Sequence, residues 1–293
     1  MKNPHKITGL LIVLVTYAVS ILGGWLFLEK SSSASPPWNL FMADILATTI
    51  VFAASMALNN SSLYDPYWSV IPPLMAIYWF NVTGAEATVP LLLLLLALFL
   101  WSIRLTTNWA LDWDGMTHED WRYRNFRQRF RRAYWLVSYG GIHLFPTLIV
   151  FFCMIPVYNA MKASPTDMNP WFIAGFLLAI SGTSMELVAD GQLRKFRQLK
   201  ADRGEIISHG LWARCRHPNY LGEIMFWFGI WMFGYGSGTG HLWTIAAPVS
   251  MLLMFLFISI PWMEQKILTT RPRYESYQKE VPVLLPLLRT RKD

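Results

Sequence analysis

Eight apolar runs, each close to the length of a membrane crossing, alternate with shorter polar segments along the chain. They cover residues 7–28, 38–58, 67–83, 88–106, 134–158, 170–190, 219–237 and 241–262. A transmembrane α-helix needs roughly 20 apolar residues, so this pattern predicts an all-α integral membrane protein, a polytopic helical bundle of about eight (seven plus one) transmembrane helices. The third run is short and contains Pro72-Pro73, so it is predicted either to span the membrane or to be re-entrant.

The composition agrees with a membrane protein. Hydrophobic residues make up 54% of the 293 residues and charged residues only 15%, whereas soluble domains average about 25% charged residues. In a soluble protein the net charge of +7 would favour nucleic-acid binding. Here the positive residues are confined to a few connections, so we expect no nucleic-acid partner.

The basic residues predict the topology. Lys and Arg concentrate before the first run, in the connections 107–133 and 191–217, and in the tail 263–293. Lys30 and Lys162 are the two basic residues that fall on the other connections. Because positive loops stay in the cytoplasm, eight crossings place both termini there.

We expect one membrane domain over residues 1–293. It comprises an N-terminal helical hairpin (1–58) and a catalytic core (59–293). The first run is longer than the 7–15 residues of a signal-peptide core, so we expect it to be retained. Cys153 and Cys215 predict neither a disulfide framework nor a metal cluster, and no metal is expected.

A polar motif, Arg216-His217-Pro218-Asn219-Tyr220-Leu221-Gly222-Glu223, lies where a basic connection meets the seventh run. Pro218 favours a helix start, and a helix N-terminus is a natural anion site. Glu223 lies at membrane depth, where an ionisable side chain is costly and usually functional. The alternatives are that Arg214 and Arg216 anchor the topology and that His217 is a solvated surface residue.

A second candidate is the face formed by Glu186, Asp190, Arg194 and Arg197. Their spacings of 4, 4 and 3 place them within about 80° of one another on a helix. The acids can accept hydrogen bonds from ribose hydroxyls, and guanidinium groups suit phosphates. The alternative is a ladder of salt bridges at the membrane boundary.

Two further segments carry candidate chemistry. Tyr64-Asp65 precedes the third run, where Asp65 either caps a helix or acts as a carboxylic acid with a raised pKa in an apolar cavity. Arg104 lies at the inner end of the fourth run, ahead of a connection dense in acids, bases and Trp. We interpret the later run from Arg124 to Arg132 as a lipid headgroup-binding surface, and the tail as a membrane-surface anchor.

These motifs together resemble the steroid 5α-reductase superfamily, and more closely an uncharacterised bacterial branch of it. The resemblance covers about residues 60–290. It is carried by Gly210-Leu211-Trp212, residues 216–223, Glu186-x3-Asp190-x6-Arg197, and Tyr274-x2-Tyr277 with Pro282. Isoprenylcysteine carboxyl methyltransferases carry a motif similar to residues 217–223. Trp101 stands where the reductases have a Tyr three residues before an Arg.

The resemblance implies NADPH as the cofactor. It assigns Asp190, Arg197, Asn219 and Glu223 to cofactor binding, and Glu186 stands where the reductases have an Asn. We expect further cofactor contacts from Glu186, Arg194, Trp212, Arg216, His217, Tyr220, Lys266 and Tyr274. The residues it assigns to catalysis are Tyr64, Asp65 and Arg104. It also implies a bacterial inner membrane.

The function we expect is NADPH-dependent reduction of a carbon–carbon double bond conjugated to a ketone, in a steroid-like or other lipophilic substrate. That substrate would enter from the bilayer, and the remaining partners would be membrane lipids, with no obligate protein partner. The first alternative is an S-adenosylmethionine-dependent methyltransferase acting on a lipidated or membrane-embedded acceptor. The second is a non-catalytic membrane protein whose charges only set its topology.

Overall fold

Helix is the regular secondary structure of the part that the computed structural model describes, residues 4–31, 35–200 and 204–286. No strand occurs in these residues, which confirms the predicted all-α class. The helices are α1 (Pro4–Lys30), α2 (Pro36–Ala57), α3 (Tyr67–Val82), α4 (Val89–Asp112), α5 (Trp121–Phe130), α6 (Tyr134–Val137), α7 (Phe145–Ala163), α8 (Pro170–Lys200), α9 (Pro218–Gly236), α10 (Ala246–Met254), α11 (Ile260–Thr270) and α12 (Tyr274–Glu280).

Six helical segments within the described residues are long and apolar enough to cross a membrane. They are His5–Lys30, Pro36–Ala57, Val89–Asp112, Trp121–Ala163, Pro170–Leu199 and Leu242–Thr270. A polytopic helical membrane protein is therefore confirmed. The remaining two apolar runs form α3, of 16 residues, and α9, of 19 residues. Neither helix is both long enough and apolar enough to be counted with these six.

Helix α3 is held near both of its ends by hydrogen bonds to residues that flank the segment Trp121–Ala163. Just before it, Ser62 Oγ accepts a hydrogen bond of 2.8 Å from the Asp120 backbone N–H. Just after it, the Glu86 backbone N–H donates to Ser164 Oγ at 2.8 Å. Asp120 and Ser164 flank the two ends of the continuous segment Trp121–Ala163. Whether this helix crosses the membrane or is re-entrant stays a prediction.

Helices α8 and α9 pack antiparallel and very closely through glycines. A Cβ on Gly222 would lie 2.5 Å from Glu186 Cγ, and a Cβ on Gly229 would lie 2.6 Å from the Gly175 carbonyl oxygen. Small residues allow such close approach of membrane helices. The contact sets Glu186 of α8 beside the first turns of α9.

The basic connections meet at one end of the bundle, which we call the basic face. Lys6 Nζ donates to the Leu111 carbonyl at 2.8 Å, Arg194 Nε lies 2.9 Å from Asp112, and the Arg216 backbone N–H donates to the Pro282 carbonyl at 2.9 Å. The N-terminus, the ends of α4 and α8 and the tail therefore share this face, as the charge pattern predicts. The placement of both termini in the cytoplasm stays a prediction.

The N-terminal hairpin, α1 and α2, packs against the remainder of the bundle. Tyr17 OH donates to the Leu63 carbonyl at 2.7 Å, and Tyr67 OH donates to Asp44 at 2.9 Å. A single cluster of buried apolar side chains includes residues from Val13 to Leu284. The boundary between hairpin and core at residue 58 stays a prediction.

Candidate functional site

A buried ion cluster joins three helices near the basic face. The Arg104 guanidinium of α4 lies 2.7 Å from Glu186 and 3.0 Å from Asp190, both on α8, and 3.5 Å from Glu223 of α9. These four side chains are 10% exposed or less. One cation thus faces three carboxyl groups, and each charge would be costly in this position without the others.

Two tryptophans fix the orientation of Glu223. Trp101 Nε1 donates to Glu223 Oε2 at 3.0 Å, and Trp227 Nε1 donates to Oε1 at 2.8 Å. Trp101 is stacked on Phe226, with ring centroids 4.7 Å apart. An indole can only donate a hydrogen bond, so Trp101 acts here as a hydrogen-bond donor to the carboxylate of Glu223.

Several polar groups of the cluster retain unused hydrogen-bonding capacity. Among the described residues, Glu186 Oε2 and Arg104 Nε are buried and have no hydrogen-bond partner. Asn219 Nδ2 reaches Asp190 Oδ1 only at 3.5 Å, which is the limit for a hydrogen bond. Leaving a buried polar group unpaired costs about 1–3 kcal/mol. A polar ligand beside the cluster would recover this free energy.

An inner cavity of about 430 Å³ connects this cluster to the start of α3. Its polar lining includes Tyr64, Asp65, Arg104, Glu186, Asp190, Asn219, Tyr220 and Glu223, together with Asp120 and residues of α5. The structure therefore brings eight of the sequence-predicted site residues to one space. The wall between the two polar ends is apolar and includes Ile149 and Val150 of α7, Met251 of α10 and Phe255.

Two π-helical segments shape the apolar wall. Ser138–Leu144 contributes Gly141 and Ile142, and Phe255–Ser259 contributes Phe255 and Ile258. A π-helical turn widens the helix by one residue and is frequent at functional sites.

Asp65 is paired with Tyr123, a residue that sequence reasoning missed. Tyr123 OH donates to Asp65 Oδ1 at 2.5 Å, and both side chains line the inner cavity. Burial raises the pKa of Asp65 to about 7, and the nearby Asp120 adds to this rise. Arg122 and the bond from Tyr123 oppose it. Asp65 is therefore available in its protonated form near neutral pH.

The hydroxyl of Tyr64 is already engaged. It shares a hydrogen bond of 2.6 Å with Thr147 Oγ1, and the residue is only 2% exposed. Tyr64 lines the inner cavity, but Tyr123 is the phenol that contacts Asp65.

Hydrogen bonds hold the connection before α5 against the segment that precedes α3, and this positions Tyr123. Asn60 Nδ2 donates to the carbonyls of Met116 at 2.9 Å and His118 at 3.0 Å. The Ser61 backbone N–H donates to Glu119 at 3.0 Å. The connection therefore contributes to the rim of the inner cavity, through Asp120.

Arg194 and Arg197 lie outside the inner cavity. Arg194 Nε is 2.9 Å from Asp112 Oδ1, and Arg197 Nη1 is 3.7 Å from Asp112 Oδ2. The Arg197 side chain is 58% exposed. Salt bridges at the membrane boundary were the alternative interpretation of these two residues. The structure shows such salt bridges, but their partner, Asp112, is on α4 and not on α8. Their predicted role in cofactor binding stays a prediction that these contacts do not support.

Arg216, His217 and Tyr274 surround Glu264 of α11. Arg216 Nε lies 2.7 Å from Glu264, His217 Nε2 lies 2.9 Å from it, and Tyr274 OH donates to it at 3.3 Å. Burial raises the pKa of Tyr274, and Glu264 raises it further, so the phenol stays protonated as a donor. These residues fasten the tail to α9 and α11.

Trp212 and Tyr220 take different positions. Trp212 Nε1 donates to the Ala189 carbonyl at 3.1 Å, away from the inner cavity. Tyr220 lines that cavity and is stacked between His217 and Phe255, with centroid distances of 5.3 and 4.6 Å. The predicted cofactor contacts of Trp212, Arg216, His217 and Tyr274 stay predictions without geometric support.

Lys266 lines a second cavity of about 490 Å³ between α5 and α11, which we call the basic chamber. Its polar lining comprises Arg122, Asn125, Arg129, Gln265, Lys266, Thr269 and Thr270. The basic chamber shares Arg122, Phe126 and Trp262 with the inner cavity, so the two spaces are adjacent.

Comparisons with known proteins give the family. A model of a family described as a protein of unknown function, DUF1295, matches residues 51–281. An uncharacterized protein of Schizosaccharomyces pombe is 26% identical over 276 residues, which cover 85% of this chain and 79% of that protein. A probable O-methyltransferase of Ustilaginoidea virens is 26% identical over 110 residues, 37% of each chain.

No solved structure matches the chain. The family match covers most of the sequence and includes every residue of the ion cluster. The chain therefore belongs to the DUF1295 family, which is steroid 5-alpha-reductase-like.

Proposed function

We propose that the protein is an NADPH-dependent reductase of a carbon–carbon double bond conjugated to a ketone, in a steroid-like or other lipophilic substrate. Membership of a steroid 5-alpha-reductase-like family supports an enzyme of this kind. The observation that carries the proposal is the inner cavity. Its lining includes the ion cluster, the Asp65–Tyr123 pair and a set of apolar side chains.

The side chains around the two cavities fit NADPH. A carboxamide and ribose hydroxyls are hydrogen-bond donors, and Glu186 offers an unpartnered buried oxygen in the lining, which also contains Asn219. The phosphates need cations, and Arg104 is already surrounded by carboxyl groups. The adjacent basic chamber supplies Arg129 and Lys266. When bound, NADPH would supply a hydride to the substrate.

Asp65 would act on the substrate ketone. Near neutral pH its protonated carboxyl group can donate a hydrogen bond to the ketone oxygen and stabilise the negative charge that develops there. The proton passes to the substrate, and the Asp65 carboxylate, held by Tyr123, regains a proton from water. The product therefore gains one hydride and one proton, and the double bond becomes a single bond.

The apolar wall would hold the lipophilic part of the substrate. Ile149, Val150, Phe255 and Ile258 offer hydrocarbon surface, and Met251 can adapt its shape. Excluding water from this region strengthens the electrostatic effect of Asp65.

The direct test mixes detergent-purified protein with NADPH and an enone steroid and follows NADPH absorbance. We expect oxidation of NADPH and a saturated ketone product. The absence of both NADPH binding and NADPH oxidation, over a panel of lipophilic enones, would contradict the proposal.

Methyl transfer from S-adenosylmethionine is the second candidate. Two observations favour it: the partial match to a probable O-methyltransferase, and the excess of carboxyl groups around the inner cavity, which suits a sulfonium cation. S-adenosylmethionine carries no phosphate, so it would leave the basic chamber unused. Comparing the thermal shifts caused by NADPH and by S-adenosylmethionine separates the candidates.

We place the protein in a bacterial inner membrane with the basic face and both termini in the cytoplasm, and with substrate entering from the bilayer. The arrangement of basic residues supports this orientation. A reporter that is active only in the cytoplasm should be active when fused to the C-terminus, and a periplasm-specific reporter should not.

A further inference from the structure

We infer that Asp44 of α2 stores a proton for the inner cavity and exchanges it with Tyr64 through a chain of buried hydroxyl groups. We call this chain the hydroxyl relay. In order from Asp44, its members are Tyr67, Thr48, Thr147 and Tyr64. The use of the proton in the reduction rests on the proposed function, whereas the exchange follows from the contacts themselves. The family match begins at residue 51, so Asp44 and Thr48 lie before it.

Asp44 is a buried carboxyl group inside a helix that is long and apolar enough to cross a membrane. The residue is only 5% exposed, and the Tyr67 hydroxyl donates to it at 2.9 Å. No ion pair between described residues includes Asp44. A buried carboxylate without a cation is very costly, so this group holds its proton. An ionisable residue within a membrane helix usually has a function.

The hydroxyl relay is continuous from Asp44 to Tyr64. Thr48 lies about one helical turn after Asp44 and makes a side-chain hydrogen bond with Tyr67. Its Oγ1 lies 3.0 Å from Thr147 Oγ1, which in turn lies 2.6 Å from the Tyr64 hydroxyl. Each of these five residues is at most 5% exposed. The relay is therefore shielded from lipid and from bulk water along its length.

The hydroxyl groups of the relay can pass a proton in either direction, because each can both donate and accept a hydrogen bond. In the contacts of Thr147 with Thr48 and with Tyr64, either oxygen can be the donor. Thr147 also has the His143 carbonyl as an acceptor at 2.9 Å, so its proton has alternative positions. By contrast, the two indoles that hold Glu223 can only donate and form no such route.

The relay ends at the inner cavity, where Tyr64 and Asp65 both form part of the lining. In the proposed reaction, Asp65 gives its proton to the substrate and regains one from a cavity water. Tyr64 then gives its phenolic proton to the hydroxide that remains, each hydroxyl of the relay passes one proton on, and Asp44 becomes a carboxylate. When the product leaves and bulk water enters, the same steps in reverse return one proton to Asp44.

Infrared difference spectroscopy of the full-length protein in neutral detergent tests the store. A protonated carboxyl group has a C=O stretching band that a carboxylate lacks, and this band shifts when deuterium replaces the proton. We expect the wild type to show such a band and D44N to lack it. After transfer to D₂O, we expect the band to shift at least about tenfold more slowly in T48V, because the relay is cut beside Asp44, and a factor of ten corresponds to about 1.4 kcal/mol of barrier.

The matched control is T49V, the same substitution at the next residue of α2. The Thr49 hydroxyl is bonded to the Ile45 carbonyl at 2.7 Å and to the Tyr139 hydroxyl at 2.8 Å, so it is not part of the relay. We expect T49V to exchange as fast as the wild type. Melting temperatures are compared with that of R124Q, in which an exposed residue of α5 is replaced.

Turnover provides a second readout that a merely structural role would not give. We expect D44N and T48V to lower kcat about tenfold, less than the 10²–10⁴-fold typical of a direct general acid, because water still reaches the cavity between turnovers. The KM for NADPH should stay unchanged in both variants, and T49V should keep the kcat of the wild type.

Two results would overturn the relay. One is that D44N retains every carboxylic acid band of the wild type, and the other is that T48V exchanges as fast as T49V. If D44N is not recovered, the comparison of T48V with T49V decides alone. NADPH oxidation by a protein that gave either result would leave the reductase standing without the relay. Exchange through the relay without any NADPH oxidation would keep the relay and remove its use in reduction.

Discussion

The two adjacent cavities are opposite in charge. In the inner cavity, Arg104 is outnumbered by Glu186, Asp190 and Glu223, and all four are almost fully buried. In the basic chamber, cations line the wall and no carboxyl group does. Charges at membrane depth persist when they are paired or have a function. A ligand with donors at one end and phosphates at the other would complement both regions.

Removal of Arg104 should have the largest effect on stability. R104Q leaves three carboxyl groups buried without their cation, and breaking a buried ion pair costs about 3–5 kcal/mol. We expect R104Q to unfold at a much lower temperature in detergent, or not to be recovered. The double variant R104Q/E186Q should recover part of the loss. An R104Q protein as stable as R124Q would show that the cluster contributes nothing.

Substitution of Asp65 tests the far end of the inner cavity. Loss of a general acid typically lowers the rate by about 10²–10⁴-fold, so D65N should lose most NADPH oxidation while still binding NADP⁺. Because the pKa of Asp65 is raised to about 7, its protonated form is lost above that pH. Wild-type kcat should therefore fall as the pH rises through 7, and the residual activity of D65N should lack this step. A D65N profile with the same step would contradict the assignment.

A smaller loss of stability is expected when the close packing of α8 and α9 is disturbed. A methyl group on Gly222 would lie 2.5 Å from Glu186 Cγ, so G222A should disturb the ion cluster. Overpacking of this kind costs about 1–3 kcal/mol. Gly191 of α8 provides the control, since a Cβ there meets nothing within 4 Å. Thermal unfolding should separate G222A from G191A, and equal midpoints would refute the close contact.

The smallest effect is expected for Arg197. Exposed salt bridges contribute about 0.2–1 kcal/mol, and Arg197 lies outside both cavities. R197Q should change the dissociation constant for NADP⁺ by less than about fivefold, because 1.4 kcal/mol corresponds to a factor of ten. A loss of tenfold or more would restore the role that the sequence motif assigns to Arg197 and would weaken the case for the basic chamber.

The length and hydropathy of the apolar runs were sufficient to predict the all-helical class, since every run became helical, two of them with π-helical segments inside. The convergence of Glu186, Asp190 and Glu223 could also be predicted, because all three lie at similar depth on neighbouring helices. Arg197 shares their helical face, but it lies 11 residues beyond Glu186. At 1.5 Å per residue that is roughly 16 Å along the axis, which carries it past the cavity. Arg104 of α4 takes the central position instead.

The pair Asp65–Tyr123 and the basic chamber could not be predicted from local spacing. Asp65 and Tyr123 are 58 residues apart and meet because the connection before α5 is fastened to Asn60 and Ser61. The basic chamber pairs α5 with α11, which lies more than 130 residues further along the chain. The interpretation of the Arg-rich segment as a lipid headgroup-binding surface stays a prediction, and nothing in the sequence indicated that α11 packs beside it.

A calorimetric titration of NADP⁺ into wild type, E223Q and R129Q/K266Q tests most directly whether one ligand occupies both cavities. We predict that the wild type binds NADP⁺ and that each variant binds it more weakly, since each loses contacts at a different end of the ligand. The account would be contradicted by a wild type that does not bind NADP⁺, or by two variants that bind it as tightly as the wild type.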